Sequence, residues 1–269
     1  MALKDITLGQ YFPGSSPVHK LDPRTKLLAV ILYIVALFLA KWFVTYAIMF
    51  VVLAASVAIS RVPIKSLVSG MKPVVFILVF TGILNLFYTP GEHVLAQFWI
   101  FTITLEGVLQ AIFMVVRILM LIAGTFLLTY TTSPILLTDG LENLLGPLKK
   151  IHVPVHELAM MMSIALRFIP TLIEETDKIM SAQKARGADF ESGNLVQRAK
   201  AMIPILVPLF ISAFRRADEL ATAMECRCYH GGEGRTKLHV LQYAPRDWAA
   251  LTAGLVITVG VIVLGRFGL

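Results

Sequence analysis

The sequence has little charge and almost no cysteine. Only 15% of its 269 residues are charged, whereas soluble globular domains carry roughly 25%. Because 57% of the residues are hydrophobic and the mean hydropathy is +0.77, the composition indicates an integral membrane protein. The chain has only two cysteines, Cys226 and Cys228, which lie too close together for an easy bridge. This excludes a disulfide framework.

Motifs for catalysis and metal binding are also missing. The sequence contains no Ser/His/Asp arrangement, no HExxH motif and no pair of carboxylates within an apolar run, so catalysis by such groups has no support. The glycine-rich stretch 231–237 lacks the spacing of a phosphate loop. Cys226 and Cys228, with His230 and His239 nearby, do not have the usual spacing of zinc ligands. We therefore expect a non-catalytic protein without a cofactor or metal.

The distribution of basic residues predicts orientation. No basic run with interleaved aromatic residues occurs, so the net charge of +7 does not indicate nucleic-acid binding. Lysine and arginine precede the first apolar run and separate the second from the third, while loop 90–104 has neither. By the positive-inside rule, the N-terminus is cytoplasmic. Residues 1–25 lack an early apolar run, so we expect no cleaved signal peptide.

Apolar runs long enough to cross a bilayer occupy the first half of the chain. A membrane-spanning helix needs about 20 apolar residues, within a range of roughly 17–25. The pattern predicts an N-terminal transmembrane region, residues 1–132, and a C-terminal transmembrane helix, residues 248–269. The four spans of the first region are expected near residues 27–40, 43–60, 73–89 and 107–131. Segment 90–106 is apolar enough to re-enter the membrane.

Residues 133–247 hold most of the charges but remain rich in apolar residues. Apolar positions spaced three and four apart predict amphipathic helices at about 157–186 and 195–229. The charged face of the first helix argues against its crossing a membrane, so we expect 133–247 to be a cytoplasmic module. The predicted fold class is an all-α membrane protein with about five transmembrane helices and long amphipathic cytoplasmic helices.

Arg117 lies in the middle of the fourth predicted span. A charge within the membrane is a candidate functional residue by default. No acidic residue within the membrane accompanies Arg117 to form a relay, which favours a structural role. We expect its guanidinium to face the bundle interior and to pair with a carbonyl or with Glu106.

Two helix ends resemble each other. Residues 176–187 (TDKIMSAQKARG) and 217–228 (ADELATAMECRC) align without a gap, and the alignment pairs Arg186 with Arg227, 41 residues apart. A single arginine at a helix C-terminus commonly only compensates the helix dipole. Two matched arginines suggest docking, because a guanidinium can hold carboxylates of an acidic groove in a bidentate way.

Longer segments carry a family resemblance. The stretches SSPVHKLDPRTKLL, TTSPILLTDGLENLLGPLKK, PVHELAMMMSIALRFIPTLIEETDKIMSAQKARG and AMIPILVPLFISAFRRADELATAMECRCYHGGEGRT resemble the transmembrane T component of energy-coupling factor (ECF) transporters. The resemblance covers nearly the whole chain and is most specific over 131–237.

The resemblance implies a scaffold in a multi-pass transporter of the cell membrane. Two cytoplasmic ATP-binding-cassette ATPases would dock on coupling helices in 133–247, and one or several membrane-embedded S components would capture the vitamin. The docking motifs would be Ala185-Arg186-Gly187 and Cys226-Arg227-Cys228. The second motif keeps only the arginine of the family pattern.

Three alternatives remain open at the level of sequence. The first is the T component of a dedicated cobalt or nickel importer. The second is a membrane enzyme that uses Arg117 and the histidines. The third is a secondary carrier, although the absence of acidic residues within the membrane argues against ion coupling.

Overall fold

The protein is almost entirely helical. The computed structural model describes residues 11–88, 93–98, 101–190, 194–232 and 240–267. It contains eight α-helices and one short antiparallel hairpin within these ranges. The helices are α1 (Pro23–Leu39), α2 (Phe43–Ser60), α3 (Ile64–Tyr88), α4 (Leu105–Thr131), α5 (Pro134–Leu144), α6 (Val155–Ala185), α7 (Leu195–Glu225) and α8 (Pro245–Phe267). The strands are β1 (Val94–Phe98) and β2 (Phe101–Thr104), and a 3₁₀ helix covers Gly146–Ile151.

Six of the described helices are long and apolar enough to cross a membrane. Four of them, α2, α3, α4 and α8, have a mean hydropathy of 2.0 to 2.5 over their most apolar window, whereas α6 and α7 reach only 1.3. Helix α1, with 17 residues, falls just short of this length. The prediction of an all-α membrane protein is confirmed, and the chain is a multi-pass membrane protein.

Two elements differ from the sequence-based expectation. Helix α3 begins at Ile64 and contains Pro73, where the third span was expected to begin. Proline is tolerated in membrane helices because neighbouring groups can satisfy the freed carbonyl. Segment 90–106, which is apolar enough to re-enter the membrane, contains the strands β1 and β2, which pair in antiparallel fashion.

Local sequence signals explain several helix starts. Asp22 caps α1 by accepting a hydrogen bond from the Arg24 N–H at 2.9 Å, with Pro23 at the first helical position. Thr104 caps α4 by accepting from the Gly107 N–H at 3.1 Å. Asn194 and Gln197 form a capping box at the start of α7.

The chain contacts divide it into two compact units. The arm unit, Glu142–Val240, contains α6 and α7. The bundle unit contains α1 to α4, the hairpin and α8, together with most of α5.

Helix α1 packs antiparallel to α4 in the bundle unit. The Lys26 ammonium donates to the Thr131 carbonyl at 2.8 Å, and the Tyr33 hydroxyl donates to the Met120 carbonyl at 3.3 Å. Gly124 leaves room for the Tyr33 ring, since a Cβ there would lie 2.8 Å from Tyr33 Cε1. These contacts hold one face of α1 against α4, and Ala36 and Leu37 of α1 belong to the buried core.

A buried carboxylate joins α8 to the start of α1. Asp247, which is 1% exposed, accepts from the Asp22 N–H and from the Ala244 N–H, both at 2.8 Å. Asp22 in turn pairs with Arg24, whose guanidinium lies 4.0 Å from the centre of the Tyr243 ring. Residues 225 positions apart are thereby held together.

Candidate functional site

The first helix end closes in a Schellman motif. The Ala188 N–H donates to the Gln183 carbonyl at 3.0 Å, and the Gly187 N–H donates to the Lys184 carbonyl at 3.0 Å. This pair of hydrogen bonds defines the motif, which needs a left-handed residue after the helix. Gly187 provides it with φ +86°. Arg186 is the last residue before that reversal.

The second helix end forms the same motif without glycine. The Tyr229 N–H donates to the Met224 carbonyl at 3.1 Å, and the Cys228 N–H donates to the Glu225 carbonyl at 2.9 Å. Cys228 takes the left-handed position with φ +56°, which is uncommon for a residue other than glycine. Cys228 thus stands where Gly187 stands in the first motif, and Arg227 stands where Arg186 stands.

The two arginines are therefore equivalent in backbone position as well as in sequence. Both side chains are exposed. In the part of the chain that the structure describes, neither guanidinium has a hydrogen-bond or ion-pair partner. Ala185, Gly187, Cys226 and Cys228, which flank them, are exposed as well. Each helix end thus presents one unpaired cation between small side chains.

Helices α6 and α7 run antiparallel where they touch. Arg216 pairs with Glu175 through Nη2 and donates from Nη1 to the Thr171 hydroxyl at 2.9 Å. Further along α6, the Gln183 side chain donates to the Pro204 carbonyl at 3.5 Å. Later positions of α6 thus contact earlier positions of α7. We refer to the group formed by Thr171, Glu175 and Arg216 as the crossing contact.

The crossing contact joins equivalent positions of the two helices. Glu175 and Arg216 are 41 residues apart, as Arg186 and Arg227 are. An antiparallel pair that meets at equivalent positions has a local two-fold relation. Each arginine of the helix ends lies 11 residues beyond the crossing contact, or about 16 Å along the helix at 1.5 Å per residue. The two ends extend in opposite directions.

The helices of the arm unit expose an apolar surface. Exposed positions of α7 recur at intervals of three and four residues, which gathers them on one side of the helix. They are Met202, Ile203, Leu206, Val207, Phe210, Ile211 and Phe214, and α6 adds Leu158, Met161 and Met162. Contiguous apolar surface of this kind marks contact with another protein or with lipid.

Arg117 has structural partners within the bundle unit. Its Nε donates to the Tyr46 hydroxyl at 2.7 Å, and its Nη2 donates to the Ala40 carbonyl at 3.1 Å. Ala40 ends α1 and Tyr46 lies in the first turn of α2, so the guanidinium ties the α1–α2 turn to α4. Of the two expected partners, the structure selects a carbonyl. Glu106 instead accepts from the His93 N–H at 3.4 Å.

Candidate metal ligands do not gather in the described ranges. Among these residues, no group of three or more His, Cys, Asp or Glu side chains could hold a metal ion. Cys226 and Cys228 are free thiols on the surface. His239 and residues 233–237 of the glycine-rich stretch lie outside the described residues.

Comparison with known proteins gives a consistent assignment. A family model described as "Cobalt transport protein" (CbiQ) matches residues 14–238. The chain is 54% identical to "Energy-coupling factor transporter transmembrane protein EcfT" of Ruminiclostridium cellulolyticum, over 91% of each chain. It is 55% identical to the protein of that name from Clostridium kluyveri over 95% of each chain, and 49% identical to that from Bacillus subtilis over 95% of this chain and 96% of the relative.

Together with the membrane-spanning helices, these matches place the protein among integral membrane components of transporters. The chain belongs to the family of transmembrane T components of energy-coupling factor transporters, as the sequence resemblance predicted.

Proposed function

We propose that the chain is a non-catalytic scaffold through which two cytoplasmic ABC ATPases drive vitamin import by a separate S component. The observation that carries this proposal is the pair of equivalent helix ends. Arg186 and Arg227 occupy the same position of the same motif, are exposed and have no partner among the described residues. Two similar ends on one helix pair suit two similar partners.

The chemistry of the helix ends suits an acidic groove on each ATPase. The planar guanidinium binds carboxylates in a bidentate way. Ala185 and Gly187 at the first end, and Cys226 and Cys228 at the second, are small. Small neighbours let a helix end approach a partner surface closely, so the departure from alanine and glycine at the second end does not obstruct docking.

The topology proposed for the cell membrane follows the charge pattern. With the N-terminus cytoplasmic, α1 to α4 return the chain to the cytoplasmic side, and residues 133–247 form the coupling module there. Their lower hydropathy and high charge support this placement over two further membrane crossings. Helix α8, which begins at Pro245 and covers most of the proposed C-terminal transmembrane segment 248–269, then crosses the membrane once more.

The apolar surface of α6 and α7 is proposed to contact the S component. Methionine side chains on this surface are flexible and repack readily, which suits a surface shared by several S components. The relatives are named energy-coupling factor transmembrane proteins, and the sequence resemblance to the shared type of T component favours vitamin uptake. The description of the family model as a cobalt transport protein supports a dedicated cobalt or nickel importer as the second candidate. Identification of the S components that co-purify from native membranes separates the two.

Charge reversal at both helix ends tests the docking proposal. We expect the double variant Arg186→Glu/Arg227→Glu to lose both ATPases in co-purification while it still inserts into the membrane. Arg198→Glu, an exposed reversal elsewhere on α7, is the matched control and should retain them. Retention of both ATPases by the double variant would refute the docking proposal.

A further inference from the structure

The bundle unit contains a cavity to which the transport scheme assigns no role. Its volume is about 390 Å³, and it lies among α1, α2, α4 and α8. The lining is almost wholly apolar and includes Tyr33, Met49, Leu127, Ala253 and Gly254. Small residues on α8, such as Ala253 and Gly254, leave part of this space open.

The size and polarity of the cavity call for an apolar occupant. An engineered apolar cavity of about 150 Å³ stays free of water and binds benzene, and this cavity is more than twice as large. An empty apolar cavity destabilises a protein in proportion to its volume. In a membrane, the abundant apolar filler is the hydrocarbon chain of a lipid.

The cavity has the depth of one leaflet. Its lining extends from Lys26 to Ala36 on α1 and from Met49 to Ile59 on α2. Ten residues of helix rise about 15 Å, which is half of the roughly 30 Å hydrocarbon core of a bilayer. An acyl chain that lies along the cavity from its Lys26 end therefore reaches the middle of the membrane.

The exposed lining residues indicate where such a chain enters. Ile59 on α2 is 50% exposed, and Ala253 on α8 is exposed as well. Residues of α1 that line the deeper part, such as Ala36, are buried. The cavity thus opens sideways between α2 and α8, in the direction from which a membrane lipid would come.

Two arginines lie close in sequence to lining residues of this cavity, Arg61 two positions after Ile59 and Arg246 four positions before Ala250. Arg61 follows α2 directly and Arg246 lies in the first turn of α8. Both are exposed, and neither has a partner among the residues that the structure describes. Lys26, in contrast, uses its ammonium on the carbonyls of His19 and Thr131 and on a threonine hydroxyl. The arginines are the cations available for a phosphate group.

We propose that the cavity holds one acyl chain of an anionic phospholipid whose phosphate lies at Arg61 and Arg246. The acyl chain fills the apolar space that the bundle unit leaves between α2 and α8. This inference does not depend on the docking of ATPases or on the transported substrate.

Two glycine variants on α8 test the proposal. Gly254 lines the cavity, and a Cβ there meets only Leu32 Cδ1 at 3.6 Å, so Gly254→Leu fills the cavity without a backbone clash. Gly260 does not line the cavity, and a Cβ there meets nothing within 4 Å, so Gly260→Leu is the matched control. Native mass spectrometry with palmitoyl-oleoyl phosphatidylglycerol should show one phospholipid fewer on Gly254→Leu and no loss on Gly260→Leu.

A second measurement uses the wild-type protein and separates the headgroup from the chain. The phosphatidylglycerol should raise the Tm of delipidated wild-type protein, and free oleate should do so less well. Arg61→Gln and Arg246→Gln should each lower the preference for phosphatidylglycerol over phosphatidylcholine about fivefold, since a basic residue near an anionic surface contributes about that factor. Equal lipid retention by the two leucine variants, or no Tm response of the wild-type protein, would overturn the proposal.

Discussion

The two helix ends of the arm unit share a backbone and differ in residues. Both close in a Schellman motif, but the left-handed position is Gly187 in one and Cys228 in the other. Left-handed backbone costs a residue with a Cβ roughly 1–2 kcal/mol, a cost that glycine avoids. Within the motifs 185–187 and 226–228, only the arginine and the left-handed turn are common to both ends. In the proposed docking, recognition would therefore depend on the position of the guanidinium rather than on the identity of its neighbours.

The largest expected effect comes from reversing one arginine at a time. Arg186→Glu and Arg227→Glu should each weaken a different ATPase contact by about 2–5 kcal/mol, the typical range for breaking a buried charged pair at an interface. Quantitative co-purification should then show loss of one ATPase with the first variant and of the other with the second. Loss of the same ATPase in both variants would contradict the equivalence of the ends.

The crossing contact gives the next largest effect. Arg216→Glu brings a second carboxylate next to that of Glu175. The repulsion should broaden the distribution of distances between the two helix ends. The exchanged pair Glu175→Arg/Arg216→Glu should restore it, because the opposite charges meet again. Spin labels at Cys226 and at an introduced Ala185→Cys, in a Cys228→Gly background, report this distance. A distribution unchanged in Arg216→Glu would show that apolar packing alone sets the arrangement.

Substitution of the residue in the left-handed position should change the stability of the turn in opposite directions at the two ends. Gly187→Ala introduces a strained Cβ and should open the first motif, whereas Cys228→Gly removes strain and should tighten the second, each by about 1 kcal/mol. Hydrogen exchange of the Ala188 and Tyr229 amides measures this directly. Faster exchange at both would mean that the Cys228 side chain stabilises its turn.

The smallest effect is expected for Cys226→Ser. This residue has ordinary right-handed helical backbone, φ −61°, and an exposed side chain. Serine is close to cysteine in size, and an exposed substitution of this kind usually changes stability by no more than about 0.5 kcal/mol. Thermal unfolding and ATPase co-purification should both match the wild-type protein. A clear loss of ATPase binding would assign the thiol a contact of its own.

Periodicity predicted the long helices well because each carries its own apolar face. The helix expected at about 157–186 is Val155–Ala185. Helix α7 ends at Glu225 rather than near Tyr229, because the turn there uses Cys228 and lacks the glycine that marks a helix end. The apolar pattern predicted only the later part of α3, because Lys65, Lys72 and Pro73 interrupt the pattern in its first half.

Other features depend on tertiary contacts that local pattern does not encode. The apolar segment that forms β1 and β2 has no feature that separates a strand from a membrane segment. A carbonyl was foreseen as a partner of Arg117, but the Tyr46 hydroxyl 71 residues away was not. The crossing contact could have been predicted from the sequence, because the repeat that pairs Arg186 with Arg227 also pairs Glu175 with Arg216.

The equal spacing of the two helix ends about the crossing contact has a mechanical consequence. Each end lies 11 residues from that contact, so α6 and α7 supply lever arms of equal length on opposite sides of one point. Equal and opposite forces on the two ends then form a couple, which turns the helix pair without displacing it. A push on one end alone would also translate the pair, so simultaneous action of the two proposed ATPases would turn the pair without displacing it.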